Sequence, residues 1–182
     1  GSEMCIRDRD NTKGRIFAYD FQGNMLYAFG GHGYKAGLFM NPSAIEDLGD
    51  SLLVTDQKLG TITQFTLTDY GKMINDGLAE YKKGNYEESA NIWREVLKHN
   101  GNYDQAYIGI GRALLREKNY KEAMDYFELK LDAKNYSKAF KLYREVWFEE
   151  NIGTILIIIA ILILLGFGVG FVKKARREVE KG

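Results

Sequence analysis

Few side chains in this sequence are of the types that do chemistry, and their spacing narrows the possibilities further. Cys5 is the one cysteine, so no disulfide forms within the chain, and the two histidines, His32 and His99, stand far apart. A structural zinc takes four Cys or His ligands, usually as two close pairs, and that set cannot be assembled here. No metal or other cofactor is expected. Asp47, Asp50 and Asp56 flank the glycines Gly49 and Gly60; Asp near Gly supports tight turns through side-chain to backbone hydrogen bonds, and all three are read that way. His32, in Gly31-His32-Gly33, reads as an exposed loop residue, and no catalytic residue is assigned. What remains is cationic. Arg112 and Arg116 lie four apart, on one face if the segment is helical, where two guanidinium groups can hold a carboxylate. The competing reading is a solvated basic edge paired with Glu117 or nearby acids.

Global charge adds an exclusion. Twenty-five basic side chains balance twenty-five acidic ones, so nothing calls for a polyanion, and the stretch 10–69 has no concentration of Lys and Arg. No nucleic-acid partner is expected.

The elements that must position these residues differ from one end of the chain to the other. Residues 1–9 have no periodicity and resemble translated read-adaptor sequence, so they are set aside as a non-native leader. Over 10–68, short runs rich in Ile, Val, Phe, Tyr and Thr alternate with glycine-bearing turns. They predict strands at 15–19, 25–29, 43–47, 51–55 and 61–66. Asp10, Gly14, Ile16 and Tyr19 recur as Asp56, Gly60, Ile62 and Phe65 at one constant spacing, which suits a propeller blade. The order Gly37-Leu38-Phe39, Pro42, Gly49-Asp50, Leu53-Val54-Thr55-Asp56 and Thr61-Ile62-Thr63-Gln64-Phe65 resembles the NHL-repeat family, with Thr61 where that family favours Arg.

The resemblance implies about one and a third blades of a β-propeller. Closed propellers use roughly 4–8 sheets, so further blades are expected upstream. A lone sheet of this size would leave Ile16, Phe17, Leu52, Val54, Ile62 and Phe65 as a broad exposed apolar face. An independent β-meander packed on the helices is the alternative. Some propellers are lactonase-type hydrolases of sugar-derived ligands, which is the alternative function, but such sites need Glu, Asn and Asp from many blades.

Over 69–150 the period becomes helical, with Asp69 a candidate N-cap. Gly77, Ala79, Asn85-Tyr86, Glu88, Trp93 and Leu97 recur as Gly111, Ala113, Asn119-Tyr120, Glu122, Phe127 and Leu131 at one constant offset. Period and pattern resemble tetratricopeptide repeats, departing at Asp76, Lys130 and Asn135. Two helical hairpins are predicted, followed by a capping helix over 137–150 that repeats the opening of the pattern through Ala139, Phe140, Tyr143 and Trp147. The aromatic stripe is read as core, with Ser89, Gly111 and Ala123 allowing close helix approach. The family resemblance implies a concave face lined by the first helix of each hairpin, a site for a protein or peptide partner. Its residues here are Ile74, Leu78, Tyr81, Lys82, Ile108, Arg112, Leu115 and Arg116.

Residues 151–172 predict a transmembrane helix. The run from Ile152 to Val172 has no charge and fifteen Ile, Leu, Val or Phe residues; at ~1.5 Å per residue it matches a hydrocarbon core of about 30 Å. Inserting those side chains is worth on the order of −6 kcal/mol. Trp147 precedes the run, and Lys173, Lys174, Arg176 and Arg177 follow it in a basic tail, 173–182. The basic flank is the cytoplasmic one, which puts everything before the span outside the cytoplasm, at a plasma membrane. Gly166 and Gly170 have the spacing that can seat a second helix.

The expected fold is therefore mixed: a partial all-β propeller, an all-α tetratricopeptide-like array and one membrane span. The expected function is a non-catalytic, membrane-anchored scaffold, resembling membrane proteins of Gram-positive bacteria that combine NHL and tetratricopeptide repeats, some of which continue into a Yip-type multi-spanning domain.

Overall fold

A computed structural model describes residues 6–49 and 51–179. The turn role expected of Asp50 lies outside the described residues, as do residues 1–5 and 180–182. The chain forms two compact units, the first ending at Ala139 and the second beginning at Phe140.

Six strands open the first unit: β1 (Ile6–Asp10), β2 (Arg15–Tyr19), β3 (Met25–Gly30), β4 (Pro42–Leu48), β5 (Ser51–Asp56) and β6 (Thr61–Thr66). They make two three-stranded antiparallel sheets, β1-β2-β3 and β4-β5-β6. Ile6–Asp10 was not among the expected strands, since most of it falls in the segment set aside as a leader. It pairs with β2 through the backbone, for which side-chain type matters little. β5 alternates buried and half-buried residues, and Val54 is fully buried. At the corresponding place in β1, Asp8 is exposed.

The recurrence read from the sequence reappears as geometry. Asp10 Oδ1 accepts from the Thr12 and Lys13 amides at 2.9 and 3.0 Å, and Asp56 Oδ1 accepts from Lys58 and Leu59, both at 2.9 Å. Gly14 and Gly60 close these turns at φ 59° and 64°, a left-handed conformation that glycine adopts without the clash a Cβ brings.

The apolar face that a lone sheet would expose is in part covered within the chain. Ile16, Phe39, Leu52 and Val54 are buried in one cluster, against which Phe29, Ile45 and Phe65 pack. That cluster draws on both sheets, so each covers the other's apolar face. Ile62 is left 70 % exposed, because side chains alternate along β6 and Ile62 points away from the side Phe65 uses.

Four helices follow in the first unit: α1 (Asp69–Lys83), α2 (Tyr86–His99), α3 (Asp104–Arg116) and α4 (Tyr120–Leu129). The N-cap of α1 is Thr68, one residue before the expected Asp69; its Oγ1 accepts from the Gly71 amide at 3.1 Å. Asp69 sits instead in the first turn, where a negative charge suits the helix dipole. The two hairpins share one packing device. Trp93 of α2 lies where a Cβ on Gly77 would come within 2.9 Å of the indole, and Phe127 of α4 stands in the same relation to Gly111 at 2.6 Å. Ser89 Oγ donates to the Gly77 carbonyl at 2.7 Å, tying α2 to α1.

The offset fails at its last pair. Leu97 lies within α2, but α4 ends at Leu129, so Leu131 falls in a turn at φ 54° and is 88 % exposed. Lys130, already a departure from the pattern, is drawn to Asp104 at 2.7 Å and lies over the Tyr107 ring. Asp132 then accepts from the Asn135 amide and side chain, initiating the last helix.

That helix, α5, covers Ala133–Val179. The capping helix expected over 137–150 and the span expected over 151–172 are thus one helix, and the boundary placed at 150 does not appear as a break. No Pro stands near residue 150, and Asn151 and Gly153 are carried inside the helix instead of ending it.

Candidate functional site

The faces of α1 and α3 that were expected to receive a partner are already partly engaged. The turn between β2 and β3 lies against them. Asp20 builds this turn: Oδ1 accepts from the Gln22 and Asn24 amides, both at 2.8 Å, and Oδ2 accepts from Asn24 Nδ2 at 2.9 Å. The same Oδ2 takes Arg112 Nη1 of α3 at 3.1 Å, and both residues are buried. Burial opposes ionisation of Asp20, but the Asn24 side chain and amide, the Arg112 guanidinium and the Gln22 amide outweigh it and hold the carboxyl below the usual carboxylate range.

Three further contacts fix the hairpin on the helices. Phe21 stacks on Tyr81 of α1 with ring centroids 6.4 Å apart. Tyr27 Oη lies 3.3 Å from Asn75 Oδ1, also on α1. Tyr103, the N-cap of α3, donates its hydroxyl to the Leu26 carbonyl at 2.8 Å. One ion pair, one aromatic stack and two polar contacts therefore converge from α1 and α3 on four residues of the hairpin, Asp20, Phe21, Leu26 and Tyr27.

Of the residues assigned to the partner face, Ile74, Leu78, Arg112 and Leu115 are buried. Arg112 pairs with the chain's own Asp20, and it does so without Arg116, so the spacing of the two arginines plays no part in that pair. Arg112 Nε is buried without a hydrogen-bond partner. Tyr81 and Ile108 are half-buried, and Lys82 and Arg116 are exposed. Arg116 Nε donates to Tyr81 Oη at 3.2 Å, a bond that raises the guanidinium's already high pKa. Tyr81 in turn meets Tyr86 edge-on, with ring centroids 5.2 Å apart. Arg112 and Arg116 are thus split between two jobs, one internal and one at the surface.

Asp20, Phe21, Leu26, Tyr27, Asn75 and Tyr103 were missed by sequence reasoning. The signal here is the Gln22-Gly23-Asn24 turn, which marks the bend of the hairpin but not the helix face it meets. Asp47, expected in a turn, lies within β4 and pairs with Arg7 at 2.5 Å. Asp56 does more than make its turn. The buried Asp56 accepts, besides its turn amides, the Met40 and Asn41 amides at 2.6 and 3.0 Å. Burial opposes its ionisation, and the amides of Asn41, Leu59, Met40 and Lys58 reverse that, lowering its pKa.

His32 is exposed in its loop, where its backbone bridges to Phe39. Among the described residues, no three His, Cys, Asp or Glu side chains are grouped to hold a metal ion.

Among the described residues, α5 is long and apolar enough to cross a membrane, and the side chains of its most apolar window are not buried within the chain. Leu164 and Phe167 are 70 % and 75 % exposed. Trp147 is exposed and packs edge-on against Phe148 at 5.3 Å, and Lys173 is exposed. The side chains of Lys174, Arg176 and Arg177 lie outside the described residues. A Cβ on Gly166 or Gly170 would meet nothing within 4 Å.

In comparison with known families, residues 75–138 match the tetratricopeptide repeat. The matched stretch runs from within α1 to the first residues of α5 and includes the Trp93 and Phe127 packing units. No match to a curated protein is found. Tetratricopeptide repeats suggest a protein-interaction scaffold, and they are generally non-catalytic.

Proposed function

We propose that this protein is a non-catalytic interaction scaffold held at the plasma membrane by a single span, with its β and helical-repeat parts outside the cytoplasm and its basic tail inside. The observation that carries the reading is the uncharged run from Ile152 to Val172, whose side chains up to Val169 are mostly exposed in the described structure. A helix apolar on every side has no polar face to turn to water, so lipid is the solvent it suits. The Lys and Arg residues from Lys173 onward set the orientation.

The six strands are proposed to be consecutive pieces of two NHL-type propeller blades. Support comes from the shared Asp10 and Asp56 turns and from the two sheets burying one common cluster. Partner binding is assigned to the exposed part of the helical-repeat face, around Tyr81, Lys82, Ile108 and Arg116. Arg112 acts inside the fold.

Orientation is tested by placing a cysteine at Asn102, in the exposed turn between α2 and α3, in a Cys5→Ser background. A membrane-impermeant maleimide should label it on intact cells. Labelling only after permeabilisation would reverse the assignment of sides.

A further inference from the structure

We infer that Phe21, Tyr81, Tyr86 and Arg116 form a composite ledge that binds a partner protein segment presenting a carboxylate beside an aromatic or other apolar side chain. The inference rests on reading the helical repeats as an interaction module and names the chemistry of its partner. The chain's own hairpin displays that chemistry. Asp20 places its carboxylate on Arg112 while the adjacent Phe21 lays its ring on Tyr81, so this helical face demonstrably receives an Asp-Phe pair.

Arg116 repeats the offer one helical turn further along α3. It is exposed, and its bond to Tyr81 Oη orients the guanidinium beside the aromatic rings. Among the described residues, no carboxylate lies within ion-pairing distance of it. Glu80, an acid on the same turn of α1 as Tyr81, is committed to Lys83 and Asn85, both at 2.6 Å. Exposed Lys82 adds a second positive charge.

Phe21 remains 48 % exposed although stacked on Tyr81, and Tyr86 extends the aromatic surface. Tyr, Arg and other large rigid groups supply most of the energy where proteins meet, and a guanidinium selects a carboxylate by paired hydrogen bonds. The ledge is composite because Phe21 comes from the β part and the other three residues from the helices. Neither part alone carries it.

The test is fluorescence anisotropy on the full chain in detergent micelles, with fluorescein-labelled Gly-Asp-Phe-Asp-Phe-Gly as probe and its Asn-Phe counterpart as control. The Asp peptide should bind at least tenfold tighter than the Asn peptide, and more weakly as salt rises. Arg116→Gln and Phe21→Ala should each weaken it about tenfold, with thermal unfolding of Arg116→Gln unchanged because that side chain is exposed. Equal binding of the two peptides, or no binding of either by the unsubstituted chain, overturns the ledge. Binding that survives both substitutions also overturns it, while leaving the interaction-module reading in place; the membrane reading is tested separately by the Asn102 label.

Discussion

Truncating Asp20 leaves the Arg112 guanidinium buried against α3 with neither of its inward groups paired, since Nε already has no partner. Breaking one side of a buried ion pair typically costs about 3–5 kcal/mol. Asp20→Ala and Arg112→Ala are therefore expected to destabilise the chain by roughly that amount in chemical denaturation, whereas Arg116→Ala should cost under about 1 kcal/mol. Asp20 and Asp56 make a second prediction. Both carboxyls are held below their usual pKa in the folded chain, so each adds stability above the unfolded value of about 4 and loses it as pH falls through the folded value. The denaturation midpoint should stay level from pH 7 to 5 and drop below pH 4. Asp56→Asn should lower the midpoint at pH 7 and flatten the drop.

At the scale of elements, the two helical hairpins were legible because the spacing between Gly77 and Trp93 is the spacing between Gly111 and Phe127, and close packing forces those residue types on both copies. Gly109 escaped notice, since it has no counterpart in the recurring pattern. A Cβ there would come within 2.5 Å of Trp93 Nε1, so Gly109 is the third helix's concession to the same indole. Over-packing a core costs about 1–3 kcal/mol, and the gain in helix propensity from Gly to Ala returns about 1 kcal/mol. Gly109→Ala should be net destabilising by up to about 2 kcal/mol in thermal or denaturant unfolding, although the substitution favours helix locally. The end of α4 was not legible. Nothing in the apolar period reports that Lys130 reaches across to Asp104 and Tyr107 and closes the helix before Leu131.

For the molecule as a whole, strands, helices and the apolar run were each readable from local period, because each obeys a short-range rule. How the first two meet was not readable. The Asp20 to Arg112 pair joins residues 92 apart, and no periodicity links a hairpin tip to a helix face so distant in sequence. The same contact takes Arg112 out of the expected partner face, and Phe21 covers part of Tyr81, so two residues chosen for their position on the first helices help seat the chain's own hairpin. What remains open, around Tyr81 and Arg116, sits at the edge of that contact.

Anchoring at a membrane requires the apolar part of α5 to reside in lipid. Membranes from cells expressing the chain, extracted with alkaline carbonate and then with a mild detergent, test this directly. The chain should stay in the pellet through carbonate and be released by detergent, and Leu162→Arg with Leu164→Arg should move it to the carbonate supernatant, since each central charge costs about 3 kcal/mol. Release of the unsubstituted chain by carbonate alone, as a monodisperse species in detergent-free buffer, would contradict the account.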